Sequence, residues 1–583
     1  MRKAGYISLH IKMTANTGSK SLRLRIAGQT MKCSTKGESV SLQEEVLPFP
    51  TAGGARTHVA GQTQDLHRNL TWKDAFWVTS GVPAGVLFTI GGVSATIGQP
   101  AWIIWILAIL VGFAQCFTYA EISGLYPHKS GGASVYGALG WVRYSKFVAP
   151  VSVWCNWIAW SPMLALGTSL AAGYMLSNLF PADAAINTWQ VTLLDLGFIS
   201  KDLTLRINST FVLAVIFLLI TFKLQHSGAS AAARTQRILG IASLTPLVVI
   251  ALVPLFTGDM PSTNFLPLLP LMHDATGASV MGSWNSAGIS TAMGAMFLAC
   301  WSTFGFETAV CYTREFKNPQ QDTFKAIVSS GLLCLFMFIA VPIAFQGELG
   351  LSGMLAPAIV DGSGVGAAMA RFVGGGVVVF NAIVVMLVLS ILLIVMTSMM
   401  GSSRTLYQAS VDGWLPKYLS HVNEHGAPTR AMWTDLVFNL FLLLMSNYMA
   451  VLSISNVCYM IFVFLNLQSG WIHRLDRADW PRPYKCANWL LALGVLCGYL
   501  DLVFVGAGAN FQGENTLRNG LIATFLIVPV FIYRHYWQDK GQFPASMRKD
   551  MELPHARAGV LPYLALLLAV AVIWISAKLT VIG

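Results

Sequence analysis

From Trp72 onward the chain alternates long apolar runs with short polar connections. Thirteen such runs begin near residues 75, 101, 147, 209, 238, 289, 323, 373, 431, 451, 486, 519 and 560. Each approaches the roughly 20 residues that a membrane-crossing helix needs. The pattern predicts an all-α polytopic membrane protein with about 13 transmembrane segments, numbered 1 to 13 here in chain order. A transmembrane β-barrel would show alternating stretches of about ten residues, and these runs are continuous. Residues 1–70 are polar, without a sustained apolar period or the apolar core of a signal peptide. They read as a disordered cytoplasmic tail, and the internal Met13 and Met31 leave a later start open.

Two of the segments are interrupted. Segment 1 reads Thr79-Ser80-Gly81-Val82-Pro83-Ala84-Gly85-Val86, and segment 6 reads Trp301-Ser302-Thr303-Phe304-Gly305-Phe306-Glu307. Irregular backbone at membrane depth is tolerated only where it is buried in protein or lines a wet cavity. A proline kink with close helix packing would account for either break alone. The breaks fall five segments apart, however, and five is odd, so segments 6–10 repeat segments 1–5 in inverted orientation. Interrupted helices at matching positions of two halves point to a transporter binding site. The chain then divides into the tail 1–70, a first repeat 71–257, a second repeat 258–473 and accessory segments in 474–583.

Composition sharpens this. Hydrophobic residues make up 55% of the chain and charged residues 11%, against roughly 25% charged in soluble domains. The net charge of +11 does not point to nucleic acid, because the basic residues sort by connection. Connections after even-numbered segments hold 21 Lys or Arg, and those after odd-numbered segments hold four: Lys201, Arg206, Arg371 and Arg518. The positive-inside rule therefore predicts a cytoplasmic N-terminus and cytoplasmic even connections, with the tail Thr580 to Gly583 outside, and some affinity for anionic lipid. None of the nine cysteines pairs at CxxC spacing and none of the eleven histidines lies mid-segment, so no metal site and no cofactor is expected.

After segment 2 come Tyr119-Ala120-Glu121-Ile122-Ser123, Tyr126-Pro127, Ser130-Gly131-Gly132 and Tyr136. Segment 6 runs from Phe304-Gly305-Phe306-Glu307 into Glu315-Phe316-Lys317-Asn318-Pro319. Arg404-Thr405-Leu406-Tyr407, Asp412-Gly413-Trp414-Leu415-Pro416 and Pro428-Thr429-Arg430 follow segment 8, and Arg482-Pro483-Tyr484-Lys485 follows segment 10. In order and spacing these tags resemble the amino acid, polyamine and organocation transporter superfamily over about Trp72 to Tyr536. The resemblance implies a leucine-transporter-like fold of ten core helices in two inverted five-helix repeats. It also implies a substrate held between the broken segments 1 and 6, with segments 3, 8 and 10 around it. Two departures stand out. Segment 5 carries Ala242 and Ser243 about where some members have a coupling lysine, and the first-helix Gly-Ser-Gly-Ile-Phe of the family reads Pro83-Ala84-Gly85-Val86-Leu87.

The expected substrate contacts are Ser80, Gly81, Ala84 and Gly85 in segment 1 and Trp301, Ser302, Phe304 and Gly305 in segment 6, with Trp301 as an aromatic gate. Glu307 is the leading candidate for gating or proton coupling, since a carboxylate at depth costs about 2.5–3.5 kcal/mol to insert. A brace for the broken backbone is its structural alternative. Glu121, near the inner end of segment 2, reads as a cap or gate partner. Asp435 and Asp501 read as structural, one of Trp154, Trp157 and Trp160 as a pocket wall, and Asn381 as a polar pocket contact. No nucleophile, base and acid constellation is present, so an enzyme is not expected. The reading is a secondary active amino acid transporter of the cell membrane that works by alternating access, with proton-coupled uptake of a neutral amino acid. Exchange of amino acids or polyamines is one alternative, and a non-transporting amino acid sensor is another.

Overall fold

The computed structural model describes Ser21–Ile26, Gln29–Lys36, Ser39–Gln43 and residues 66–583, apart from 182, 198–202, 259, 274–278, 514, 553–555 and 581–583. The chain divides into two units, Met1–Gln62 and Thr63–Gly583. The first contains a three-stranded antiparallel sheet in which Leu22 pairs with Cys33 and Cys33 with Leu42. Ser21–Ile26 alternates Leu22, Leu24 and Ile26 with polar neighbours, the two-residue period of a strand on too short a stretch to stand out from the polar tail. The rest of the expected disordered tail, up to residue 65, lies outside the described residues, as does the C-terminus beyond Thr580.

The second unit is helical. Among the described residues, 11 helices are long and apolar enough to cross a membrane. They are Trp72–Ile97, Ala101–Gly124, Ser209–His226, Ala229–Thr257, Ser286–Glu315, Pro319–Met354, Val377–Val411, Ala450–Asp476, Asn488–Gln512, Thr516–Gln538 and Leu561–Leu579. The other two apolar segments are helical as well but shorter or broken. Segment 3 is two helices, Val148–Trp160 and Met163–Leu179, because Pro162 lacks the N–H that would continue the ladder. Segment 9 is Thr429–Leu443. Two hairpins, Gln190–Asp195 with Thr204–Asn208 and Leu271–His273 with Ser279–Met281, lie in the connections after segments 3 and 5. Segment 7 packs along segment 2, segment 8 along segment 3, and segment 13 along segment 11. The outer flank of segment 13 leaves Leu567, Val570 and Trp574 exposed, an apolar face suited to lipid.

Both predicted breaks are present, in a tighter form than unwound backbone. Segment 1 is helical over Trp72–Thr79, narrows to a 3-10 turn at Val82–Gly85 and resumes as α-helix at Val86–Ile97. Pro83 removes one donor, and the turn closes with short-range bonds such as Ala84 N–H to the Gly81 carbonyl at 3.0 Å. Segment 6 is α-helical over Ser286–Thr303 and then 3-10 over Gly305–Glu315. Eleven residues of 3-10 geometry far exceed the usual run of three or four. Segment 5 holds a third irregularity, a π-helical turn at Gly240–Leu244 that contains Ala242 and Ser243. The Ser243 hydroxyl donates to the Leu239 carbonyl, and Gly240 lies against Trp77 and Ser80 of segment 1.

Candidate substrate cavity

The two breaks meet. A Cβ added to Gly305 would lie 3.1 Å from Val82 Cγ1, so the backbone of segment 6 approaches the 3-10 turn of segment 1 as closely as a side chain permits. Beside this junction is a cavity of about 470 Å³. Its walls come mainly from segment 1 (Val82, Gly85, Phe88, Thr89), segment 3 (Trp160, Met163, Leu166), segment 6 (Leu298, Trp301, Ser302, Gly305, Thr308), segment 8 (Ile394, Thr397, Ser398) and segment 10 (Leu452, Tyr459), with Phe211 of segment 4 and Leu443 of segment 9. At one end the lining passes to residues of the odd connections, Arg206, Asn208, Asp361, Ser363 and Ser446. Among the described residues, Arg206 and Asp361 are the only charged ones that line it.

One edge of the cavity is a buried polar cluster. Glu307, 1% exposed, accepts at Oε1 from the indole Nε1–H of Trp160 at 3.2 Å and from the Tyr459 hydroxyl. Trp160 and Tyr459 both line the cavity, and Glu307 stands behind them. Its Oε2 has no partner among the described residues. A carboxylate held by two neutral donors and no cation is electrostatically unbalanced in a low-dielectric site. Such a group is suited to gaining a proton or meeting a cation.

The sequence-predicted residues separate into those on the cavity and those behind it. Gly85 lines it, and a Cβ added there would have nothing within 4 Å. Trp301, Ser302 and Gly305 line it too, and the Ser302 hydroxyl bonds to that of Thr89 at 2.9 Å. Gly81 does not: a Cβ there would stand 2.9 Å from the Ile394 backbone nitrogen, so this glycine serves the contact with segment 8. Ser80 is buried and turned back onto the Trp77 carbonyl. Ala84 packs among Leu244, Leu393 and Ile394. Phe304 is buried edge-on to Tyr459, with ring centroids 5.9 Å apart. Helical geometry explains this division, because only one side of a narrowed turn faces the opening.

The three tryptophans of segment 3 each donate to a different element. Trp154 donates to the Ala523 carbonyl, Trp157 to Asp435 and Trp160 to Glu307, and of the three only Trp160 lines the cavity. Asn381 is exposed on the outside of segment 8, so the pocket contact expected of it is not made. Asp501 is buried in segment 11, away from the lining. Tyr459 and Thr89, whose hydroxyl pairs with that of the expected Ser302, escaped the sequence reading; a lone aromatic or threonine in an apolar run carries no local signal of what it faces.

Toward the even connections, the segments are tied together by buried ion pairs. Arg404 and Glu315 form a two-pronged pair, with Nη2 to Oε2 at 2.9 Å, both almost fully buried. Glu121 receives Arg474 at 2.6 Å and Arg482 at 3.1 Å, together with the backbone N–H of Cys486. Glu121 therefore does not line the cavity and ties segment 2 to the end of segment 10 and the connection after it. Lys129 sits between Asp412 and Asp550, joining three even connections.

Residues 70–532 match the amino acid permease family. The branched-chain amino acid permease BcaP of Lactococcus lactis subsp. cremoris is 25% identical over 488 residues, which cover 81% of this chain and 95% of that protein. An arginine/ornithine antiporter of the same organism is 24% identical over 381 residues, 63% of this chain and 66% of its own length. The methylthioribose transporter of Bacillus subtilis is 25% identical over 398 residues, 64% of this chain and 74% of its own. The family match opens just ahead of segment 1, takes in both breaks and every wall of the cavity, and on it the chain belongs to the amino acid permease family, whose members are transporters and not enzymes.

Proposed function

We propose that this permease carries neutral amino acids with apolar side chains across the cell membrane by alternating access, with a proton as the coupling ion. The observation that carries the substrate class is the charge distribution of the cavity. Its inner walls are Val82, Phe88, Met163, Leu298, Ile394 and Leu452 with two indoles and a phenol, and its charged residues, Arg206 and Asp361, stand at the mouth. A guanidinium or ammonium side chain lodged among these walls would lose its hydration without a facing carboxylate, a penalty of several kcal/mol. Backbone at Gly85 and Gly305 and hydroxyls such as those of Ser302, Thr89, Thr308 and Ser398 are polar groups available to the substrate's own carboxylate and ammonium. Glu307 is the proton carrier in this reading.

The architecture that goes with it is five plus five inverted segments with three accessory ones, thirteen crossings in all. The even connections then face the cytoplasm, by their excess of Lys and Arg. In that orientation the mouth opens outward and the buried pairs of Glu315, Glu121 and Lys129 close the cytoplasmic side. Uptake of labelled leucine, valine, alanine and arginine into proteoliposomes, with and without a pH gradient and with substrate preloaded, tests the proposal. Accumulation of leucine over arginine driven by an acid exterior supports it. Preference for arginine, or exchange indifferent to the gradient, overturns the substrate or the coupling respectively.

A further inference from the structure

We propose that Asp435 on segment 9, which does not itself line the cavity, is a positioning residue for substrate affinity: it fixes the break of segment 3 and so sets Trp160 against Glu307. The inference rests on the cavity being the substrate site.

Asp435 is fully buried and, among the described residues, meets no cation. Its Oδ1 accepts from Trp157 Nε1–H at 2.5 Å and from the Ser161 hydroxyl at 2.8 Å, and its Oδ2 from the Ser402 hydroxyl of segment 8. One turn along segment 9, Asn439 gives its amide N–H to Ser161 Oγ at 2.9 Å and takes the backbone N–H of Ala165 at 3.1 Å. Segment 9 thus holds residues 157, 161 and 165, three successive turns of segment 3, across the point where Pro162 interrupts the helix. Ala165 N–H is among the donors orphaned at the start of the second helix, and Asn439 supplies its acceptor. Trp160 lies between these anchors in sequence and donates to the other side, onto Glu307. The hold on segment 8 acts at the same place: Ser402 bonds Asp435, and its neighbour Gly401 lies under the Trp160 ring, where a Cβ would come within 3.0 Å of the indole.

A buried carboxylate without a cation is a poor source of stability. What it supplies here is geometry, because two oxygens fix three donors from two segments at once. Trp160 is the last residue of the first helix of segment 3, directly ahead of the break, and the contacts of Asp435 to Trp157 and Ser161 hold that helix end in place.

The test is a double-mutant cycle in proteoliposomes with labelled leucine, using Asp435→Asn, Trp160→Phe and the pair, each checked for monodisperse elution. Absence of leucine uptake by the wild type would remove the substrate reading itself. With uptake present, Asp435→Asn should raise KM about tenfold while Vmax stays within about twofold, and in the Trp160→Phe background it should add little, the non-additivity expected of coupled residues. Trp157→Phe, which removes one donor and keeps the carboxylate, should give a smaller rise in the same direction. An unchanged KM, or effects of Asp435→Asn and Trp160→Phe that simply multiply, would overturn the inference. The same cycle read by thermal unfolding needs no substrate, and there additive destabilisation also counts against it.

Discussion

Gly305 faces Val82 with space for a hydrogen and little more, since a Cβ on Gly305 would sit 3.1 Å from Val82 Cγ1. The contact joins the broken turns of the two halves of the chain, so any relative motion of segments 1 and 6 has to slide across it. Gly305→Ala should overpack the junction by about 1–3 kcal/mol and slow leucine uptake. Val82→Ala, which removes the two methyl groups that Cβ would meet, should restore most of the rate in the double variant. A Gly305→Ala protein with wild-type kinetics would show that the junction does not move during transport.

Gly85 gives the complementary case. Its Cβ direction is open and lines the cavity, so Gly85→Ala should be nearly silent for folding. Gly85→Leu fills the space where substrate is proposed to sit and should abolish leucine binding while the protein still elutes as a folded species. Retained affinity in Gly85→Leu would move the substrate away from segment 1.

What the sequence made legible was local. Gly81, Pro83, Gly85 and Gly305 alter the backbone wherever they stand, so both breaks and their five-segment spacing were readable from residue type and position. Ser161-Pro162 carries the same kind of local signal, and the break of segment 3 could have been read from it. The partners of Glu307 were not legible, because Trp160 and Tyr459 lie 147 and 152 positions away in sequence and meet it only once segments 3, 6 and 10 are packed. The division of Ser80, Gly81, Ala84 and Gly85 into one residue on the cavity and three behind it depends on how the 3-10 turn is rotated, which composition does not encode. Asp435 read as structural because segment 9 is not among segments 1, 3, 6, 8 and 10 expected around the substrate, and its link to Trp160 runs through side chains of three segments.

The Lys129 cluster predicts a pH dependence of stability. Burial opposes the charge on Asp550, but the hydrogen bond from His128 and the charge of Lys129 outweigh it and hold the carboxyl below its ordinary range. Burial likewise opposes the charge on Lys129, and the charges of Asp412 and Asp550 outweigh that and raise it above the usual lysine value. The Asp550 contribution is therefore present above the ordinary carboxylate pKa of about 3.9 and fades as pH falls below it. The Lys129 contribution is present below about pH 10.4 and fades as pH rises past its raised value. Lys129→Met leaves Asp412 and Asp550 without their buried cation and should destabilise by about 3–5 kcal/mol. Asp550→Asn keeps the pair with Asp412 and should cost roughly 1 kcal/mol. Thermal unfolding at neutral pH measures both, and a flat response to Lys129→Met would mean that the cluster does not hold the even connections together.

Orientation can be tested independently of transport. The excess of basic residues on even connections predicts a cytoplasmic N-terminus and, with thirteen crossings, an external C-terminus. A C-terminal tag should be cleaved by protease added to intact cells. A tag cleaved only after the cells are opened would mean that Leu561–Leu579 does not cross.

Coupling rests on Glu307, because segment 5 offers Ala242 and Ser243 where a lysine could have carried charge, and both belong to a π-helical turn without an ionisable side chain. Glu307 has two neutral donors on one oxygen and, among the described residues, none on the other. Glutamine can keep the acceptor for Trp160 and Tyr459 while losing the titratable proton. Glu307→Gln should therefore leave leucine exchange between preloaded liposomes and medium within about threefold of wild type, since shape and hydrogen bonding survive, while net uptake stops responding to an imposed pH gradient. The wild type in parallel should accumulate leucine when the outside is acid. If the wild type exchanges leucine without any pH response, Glu307 is a brace between segments 3, 6 and 10 and the protein is an exchanger. If the wild type is driven by pH and Glu307→Gln is driven equally well, the proton is carried elsewhere. Glu121 is a weak candidate for that role, because its carboxylate is already bound to Arg474, Arg482 and the Cys486 N–H.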